Sequence, residues 1–313
     1  MRGLLVRRLL LAVPTLLVLS FLVSALISLA PGDPAVEYAR RTSPSGEATP
    51  EQVDLARVHL GLNRPFLVQY FSWLTEALHG RLGYSFSRQT SVAQEIWTRL
   101  AATAELAATA LLITVVLAVP LGVAAAMYSR RLGDHLLRIF SLVGASAPGF
   151  FLAYVLIIVF SVQLKLLPVA GNQGFDSVVL PAVTLAVGPT AIVARLLRSS
   201  MLEVLSESYI VTAFGKGLSR LRVVVRHGLR NALIPVATVF GSVVAALLEG
   251  AIIVEVVFAW PGIGRLVYEA ISERDYPLIE GLVVFAGLVY VIVNIVVDAS
   301  YALIDPRISS RTA

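Results

Sequence analysis

Six stretches of this sequence run for about twenty residues with almost nothing that water would need to reach, and no other feature restricts the fold as strongly. In hydrocarbon each backbone amide must bond inside its own segment, so runs of that length are read as spanning helices. They lie at 9–30, 99–128, 136–162, 178–198, 233–258 and 279–303, with the core domain over about 99–303. The composition agrees: 57% of residues are hydrophobic and 14% charged, against roughly 25% charged in soluble domains. The chain is therefore expected to be an all-α integral membrane protein. The first run follows Arg7 and Arg8 and is longer than the apolar core of a secretory signal, about 7 to 15 residues. With no cysteine present, disulfides, thiolate metal sites and cysteine nucleophiles are excluded.

Basic residues give the orientation, because they are retained on the cytoplasmic side in short loops. Segments 1–8, 129–135, 199–232 and 304–313, with the flanking turns, carry fifteen Lys and Arg against four acids; the opposite side carries ten against twelve. Both termini are expected in the cytoplasm, leaving 31–98, 163–177 and 259–278 outside. The net charge of +5 is thus a matter of topology and gives no reason to expect nucleic acid as a partner.

Two connections exceed what topology needs. Residues 31–98 open with turn text (Pro31-Gly32-Asp33-Pro34) and continue with amphipathic helical text, above all Phe66 to Leu78, where Tyr70 and Trp73 suit a membrane interface. This segment is expected to cap the bundle, or to offer a docking surface outside. The 199–232 loop reads as two short helices, Glu203 to Phe214 and a second from a Ser219 cap through Asn231, separated by Gly215-Lys216-Gly217. Charge alone would also fit a basic helix resting on anionic lipid.

At this loop the text resembles the permease subunits of binding-protein-dependent ABC importers, whose cytoplasmic Glu-Ala-Ala motif is followed by Gly, Leu and Pro. Val211-Thr212-Ala213 stands at the first three places, Gly217 at the glycine and Leu229 at the leucine, while Arg230 replaces the proline. The departures suit one branch, since YIVTAFGKGLSRLRVVVRHGLRNALIP is similar to the dipeptide, oligopeptide and nickel permeases. The likeness extends to APGDPA, PFLVQY, HGRLGYSF, LLPVAG, WPGIGRLVYEAISERDYPLIEG and NIVVDASYALIDPRI, and within the branch to the first-permease subtype, dipeptide permease B.

That resemblance implies a type I importer fold and a set of partners: a second homologous permease, two ATP-binding subunits, an extracytoplasmic substrate-binding protein and the lipid of a bacterial cytoplasmic membrane. Phe214-Gly215-Lys216-Gly217 does not have the phosphate-loop spacing, so the chain is not expected to be an enzyme or to hold a cofactor; ATP and magnesium would sit in partner subunits. Val211, Thr212, Ala213, Lys216, Gly217, Leu218, Arg220, Leu221 and Arg222 are the expected ATPase-coupling residues. Ala213 and Gly217 would permit close approach, Leu218 and Leu221 would supply apolar contact, and Arg220 and Arg222 would face a polar rim. Ionisable groups in spans are default pathway candidates, which selects Glu249, Asn294, Asp298 and Arg195 as pathway or interhelical residues. Glu105 and Glu255 fall near span ends, where solvation is expected. The cargo expected from the resemblance is a di- or oligopeptide, with nickel chelates, glutathione or oligosaccharides as alternatives. His59, His79, His135 and His227 show no H-E-x-x-H spacing, which argues against an intramembrane metalloenzyme. A stand-alone channel or secondary carrier is the distant alternative, disfavoured by the absence of an evident internal repeat.

Overall fold

The computed structural model describes residues 2–30 and 32–304, with side chains placed at 8, 10–30 and 32–297. Thirteen α-helices are formed among them: α1 (Arg2–Leu29), α2 (Pro34–Thr42), α3 (Pro50–His59), α4 (Phe66–Leu78), α5 (Val92–Met127), α6 (Leu132–Ser146), α7 (Gly149–Leu156), α8 (Phe175–Leu205), α9 (Ser208–Gly215), α10 (Arg220–Arg222), α11 (Arg230–Val257), α12 (Ile263–Ser272) and α13 (Tyr276–Ile304). Two π-helical stretches, Ile157–Gln163 and Val223–Leu229, continue α7 and join α10 to α11. Among the described residues five helices are long and apolar enough to cross a membrane, and a bent pair, Leu132–Ser146 with Gly149–Gln163, makes six if it is one span.

The break in that pair has a local cause. Pro148 disfavours helical backbone at the residue before it, and Ala147 is accordingly extended at φ −72°, ψ 127°. The two halves meet at 110°, where the sequence reading had one continuous span over 136–162. Pro181, Pro189 and Pro235 lie inside helices without such a break.

The described residues divide into two compact units, 103–260 with 293–304, and 2–102 with 261–292. In the first, α8 is the core helix: Leu180, Ala182, Ala186, Ala191, Ala194, Leu197 and Met201 are buried, and α6, α7 and α11 pack around it. Close approach is made possible by glycine on three of its neighbours. A Cβ on Gly122 of α5 would lie 2.9 Å from the Ala194 carbonyl; one on Gly144 of α6 would lie 3.1 Å from Ala191; one on Gly250 of α11 would lie 2.9 Å from Leu185. Without a hydrophobic drive between helices in lipid, such contact is what holds spans together.

The second unit begins with α1, an apolar span over Leu10–Leu29, and α4 packs on it. Phe21 meets the rings of Phe66 and Tyr70 edge-on at 5.6 and 5.2 Å, and the Tyr70 hydroxyl bonds Ser20 Oγ at 2.9 Å. Helices α2 and α3 pair through Ala35, Ala39 and Ala56. Their starts are set by sequence: Asp33 accepts from the Ala35 amide with Pro34 at the first position, and Thr49 with Gln52 forms a capping box ahead of Pro50. A further core joins Val92, Ile96, Leu266, Ala270, Leu278 and Leu282.

Candidate functional site

Helix α9 is amphipathic at short range. Ile210 and Ala213 turn inward and form a small core with Val223, against which Leu205 and Leu218 pack. Val211, Thr212 and Phe214 are left outside. The helix ends in a Schellman motif: Gly217 N–H donates to the Phe214 carbonyl at 2.9 Å, and Leu218 N–H to that of Ala213 at 3.4 Å. Gly217 sits at φ +77°, and an added Cβ there would meet nothing within 4 Å, so this glycine is required by backbone conformation and not by crowding.

The glycine text thus builds a fixed cap. The helix that follows does not stop at Asn231, as the sequence reading had it, but runs unbroken over Arg220–Val257 into the fifth span. Nothing at Asn231 forces an end. Its amide instead donates to Tyr209 Oη at 2.7 Å, tying α9 to the long helix. Arg220 Nη2 donates to the Met127 carbonyl at 3.0 Å, satisfying one of the free acceptors at the end of α5.

Among the expected coupling residues, therefore, Val211, Thr212, Lys216, Gly217, Arg220, Leu221 and Arg222 are exposed together, with Val211 and Leu221 each at 66%. Ala213 is buried and Leu218 partly so, both in the anchor. The expected pathway residues are not gathered into one cluster. Glu249 on α11 and Arg195 on α8 are exposed, with no ion pair to either among the described residues. Asn294 is partly buried on α13, and the Asp298 side chain lies outside the described residues. Glu255, expected to be solvated, is fully buried and accepts a hydrogen bond from Thr103 Oγ1 at 2.7 Å.

Two buried acids were missed by sequence reasoning. Asp134, 0% exposed, receives Arg198 Nε, Arg198 Nη2 at 2.8 Å, Arg138 Nη2 at 3.2 Å and the Arg130 amide at 2.9 Å. This pins the start of α6 to α8 and closes the turn in which Arg130 takes a left-handed φ of 64°. The i, i+4 spacing of Asp134 and Arg138 was a visible signal; Arg198 was not. In the other unit Asp275 is also fully buried, accepting from Ser85 Oγ at 2.6 Å, Ser87 N at 2.8 Å and Ser87 Oγ at 2.7 Å, and it caps α13 through the Leu278 amide at 3.3 Å. Arg88 bridges Glu269 and Glu95 beside it. The 31–98 segment is in this way fastened to the turn before α13.

Comparison with known proteins gives consistent results. The family described as "Binding-protein-dependent transport system inner membrane component" matches residues 118–310, and its N-terminal companion matches residues 1–107. The chain is 40% identical over 302 residues to the glutathione transport system permease protein GsiC of Salmonella typhimurium, covering 96% of this chain and 97% of that one. It is also 40% identical over 303 residues to GsiC of Escherichia coli, covering 97% of each. Among solved structures, the inward-facing MetNI methionine ABC transporter aligns with TM-score 0.56 and 16% identity over 68% of this chain and 97% of that one. A second crystal form aligns with TM-score 0.52 and 19% identity, covering 68% and 96%. The structural likeness carries the fold, and the matches along the whole sequence carry the family: the chain belongs to the inner-membrane permease components of binding-protein-dependent ABC importers.

Proposed function

We propose that this permease imports short peptides or peptide-like molecules, glutathione among them, and is driven by two ATPase subunits, one of which grips α9 and the turn after it. The observation that carries the coupling half is the division of one short element into an anchored side and a presented side. Ile210, Ala213, Leu218 and Val223 hold the element to the chain, while Val211, Thr212, Lys216, Leu221 and Arg222 stand free of it. Exposed aliphatic side chains at a capped, conformationally fixed tip are the arrangement a cleft in a partner would bury. The tip and both termini are assigned to the cytoplasm in this reading, which the excess of basic residues on that side supports.

A stripe on α11, Thr238, Ser242, Ala246, Glu249 and Ile253, is exposed along one face and small at its centre. We assign it to the second permease, with Glu249 at the cargo path between the two. Arg195, Asn294 and Asp298 remain candidates for the same path or for contacts between helices. Likeness to the glutathione permeases over nearly the full length supports a peptide-like cargo, and the extracytoplasmic binding protein would select it.

Uptake and cargo-stimulated ATPase activity of the assembled transporter in proteoliposomes test both halves. Leu221→Asp is expected to lower coupled ATPase activity at least about tenfold, by placing a charge in an apolar contact, while the complex still carries all its subunits. Unchanged stimulation would refute the grip. For cargo, glutathione and dipeptides are expected to compete with one another for uptake; competition by nickel chelates or oligosaccharides alone would overturn the peptide reading.

A further inference from the structure

In the unit formed by residues 2–102 and 261–292 lies a cleft of about 640 Å³ that neither the coupling nor the cargo reading uses. It is walled by rings, Tyr38, Tyr70, Trp73 and Tyr276 among them, and has the Glu280 carboxylate and Ser24 in its lining. Two features of its chemistry are complementary. Glu280 accepts a hydrogen bond from Ser24 Oγ, and among the described residues no cation is paired with it. The Trp73 indole N–H is buried and has no acceptor among the described residues.

A carboxylate at the end of a span is costly without a counter-charge, and a buried indole N–H without a partner forfeits a hydrogen bond. The cleft is therefore lined by a carboxylate with no paired cation and by a tryptophan whose indole N–H lacks an acceptor among the described residues, and its aromatic faces attract cations. Ser24 and Glu280 belong to the C-terminal end of α1 and the N-terminal end of α13. Next to them α1 exposes Leu26 at 66% and Leu29 at 81%, a surface suited to acyl chains.

We propose that this cleft holds a primary ammonium group against Glu280, with the Trp73 N–H donating to an oxygen carried beside that ammonium. The headgroup of an ethanolamine phospholipid has this chemistry, and so does the N-terminal end of a soluble peptide.

Native mass spectrometry of the purified, assembled transporter separates the two sources. One arm titrates phosphatidylethanolamine against phosphatidylcholine; the other titrates glycylglycine against its N-acetylated form. The ethanolamine lipid is expected to bind about tenfold more tightly than the choline lipid, because a primary ammonium can donate to a carboxylate while a quaternary one cannot. Glu280→Gln, which keeps the bond from Ser24, is expected to abolish that preference. Trp73→Phe keeps the ring and removes the donor, and is expected to weaken retention about threefold. A preference confined to the free peptide amine, and lost in Glu280→Gln, would assign the site to a soluble ligand instead. If no primary amine is preferred, or if the preference survives in both variants, the proposal is overturned.

Discussion

Asp134 and Arg198 are the residues whose pairing matters most for a single side-chain change. A buried carboxylate that loses its charge leaves guanidinium groups without a counter-ion in a poorly solvated place, a cost of about 3 to 5 kcal/mol when one partner alone is removed. Asp134→Asn is therefore expected to destabilise the permease strongly in thermal unfolding followed in detergent. Asp134→Asn with Arg198→Met should cost less than the two single changes added together, and a double-mutant cycle measures the difference. Gly217 is the complementary case. Its φ of +77° makes any side chain there strained by about 1 kcal/mol or more, so Gly217→Val is expected to loosen the α9 cap and raise hydrogen exchange at Leu218 with little change in exchange along α8. The glycine was legible from its motif and its partner Leu218 from spacing. Arg198 was not, because 64 positions separate it from Asp134 and only the packing of α6 on α8 brings them together.

At the scale of elements, apolar runs say where helices are needed and little about how they join. Runs of apolar residues mark what hydrocarbon must cover, and hydrocarbon does not distinguish a straight span from a bent one. The break at Ala147-Pro148 and the uninterrupted passage from Arg220 to Val257 both depend on backbone geometry that hydropathy does not sense. The glycines facing α8 permit a sharper expectation. Gly122→Val would drive a side chain into the Ala194 carbonyl and Leu197, and overpacking of this kind costs about 1 to 3 kcal/mol. Reduced folded yield and a lower Tm are expected, whereas Gly133→Val, at a glycine with nothing within 4 Å of an added Cβ, should leave both nearly unchanged.

For the whole molecule, the family and the fold were legible because membrane topology is written in length and charge, and because the motif text extends along most of the chain. The buried acids at 134 and 275 were not, since an aspartate in a loop reads as a solvated one until its partners are known. Orientation has a direct test that this chain makes convenient: it contains no cysteine, so single cysteines report without background. Gly133→Cys, in the 129–135 connection and clear of the coupling tip, is expected to react with a membrane-impermeant maleimide only in inverted vesicles, and Thr75→Cys only in intact spheroplasts. The reverse pattern would invert the assignment.

The unbroken passage from Arg220 to Val257 has a mechanical consequence. Thirty-eight residues at 1.5 Å each make a strut of about 57 Å, longer than the hydrocarbon it crosses. A displacement applied near Leu221 would arrive at the opposite membrane surface as tilt and twist of one body, with no relay of side chains to fail along the way. The compliant point of such a strut is its π-helical stretch, Val223–Leu229, where the hydrogen-bond ladder changes register. Stiffness there, more than any contact further along, would set how much of a push reaches the far side.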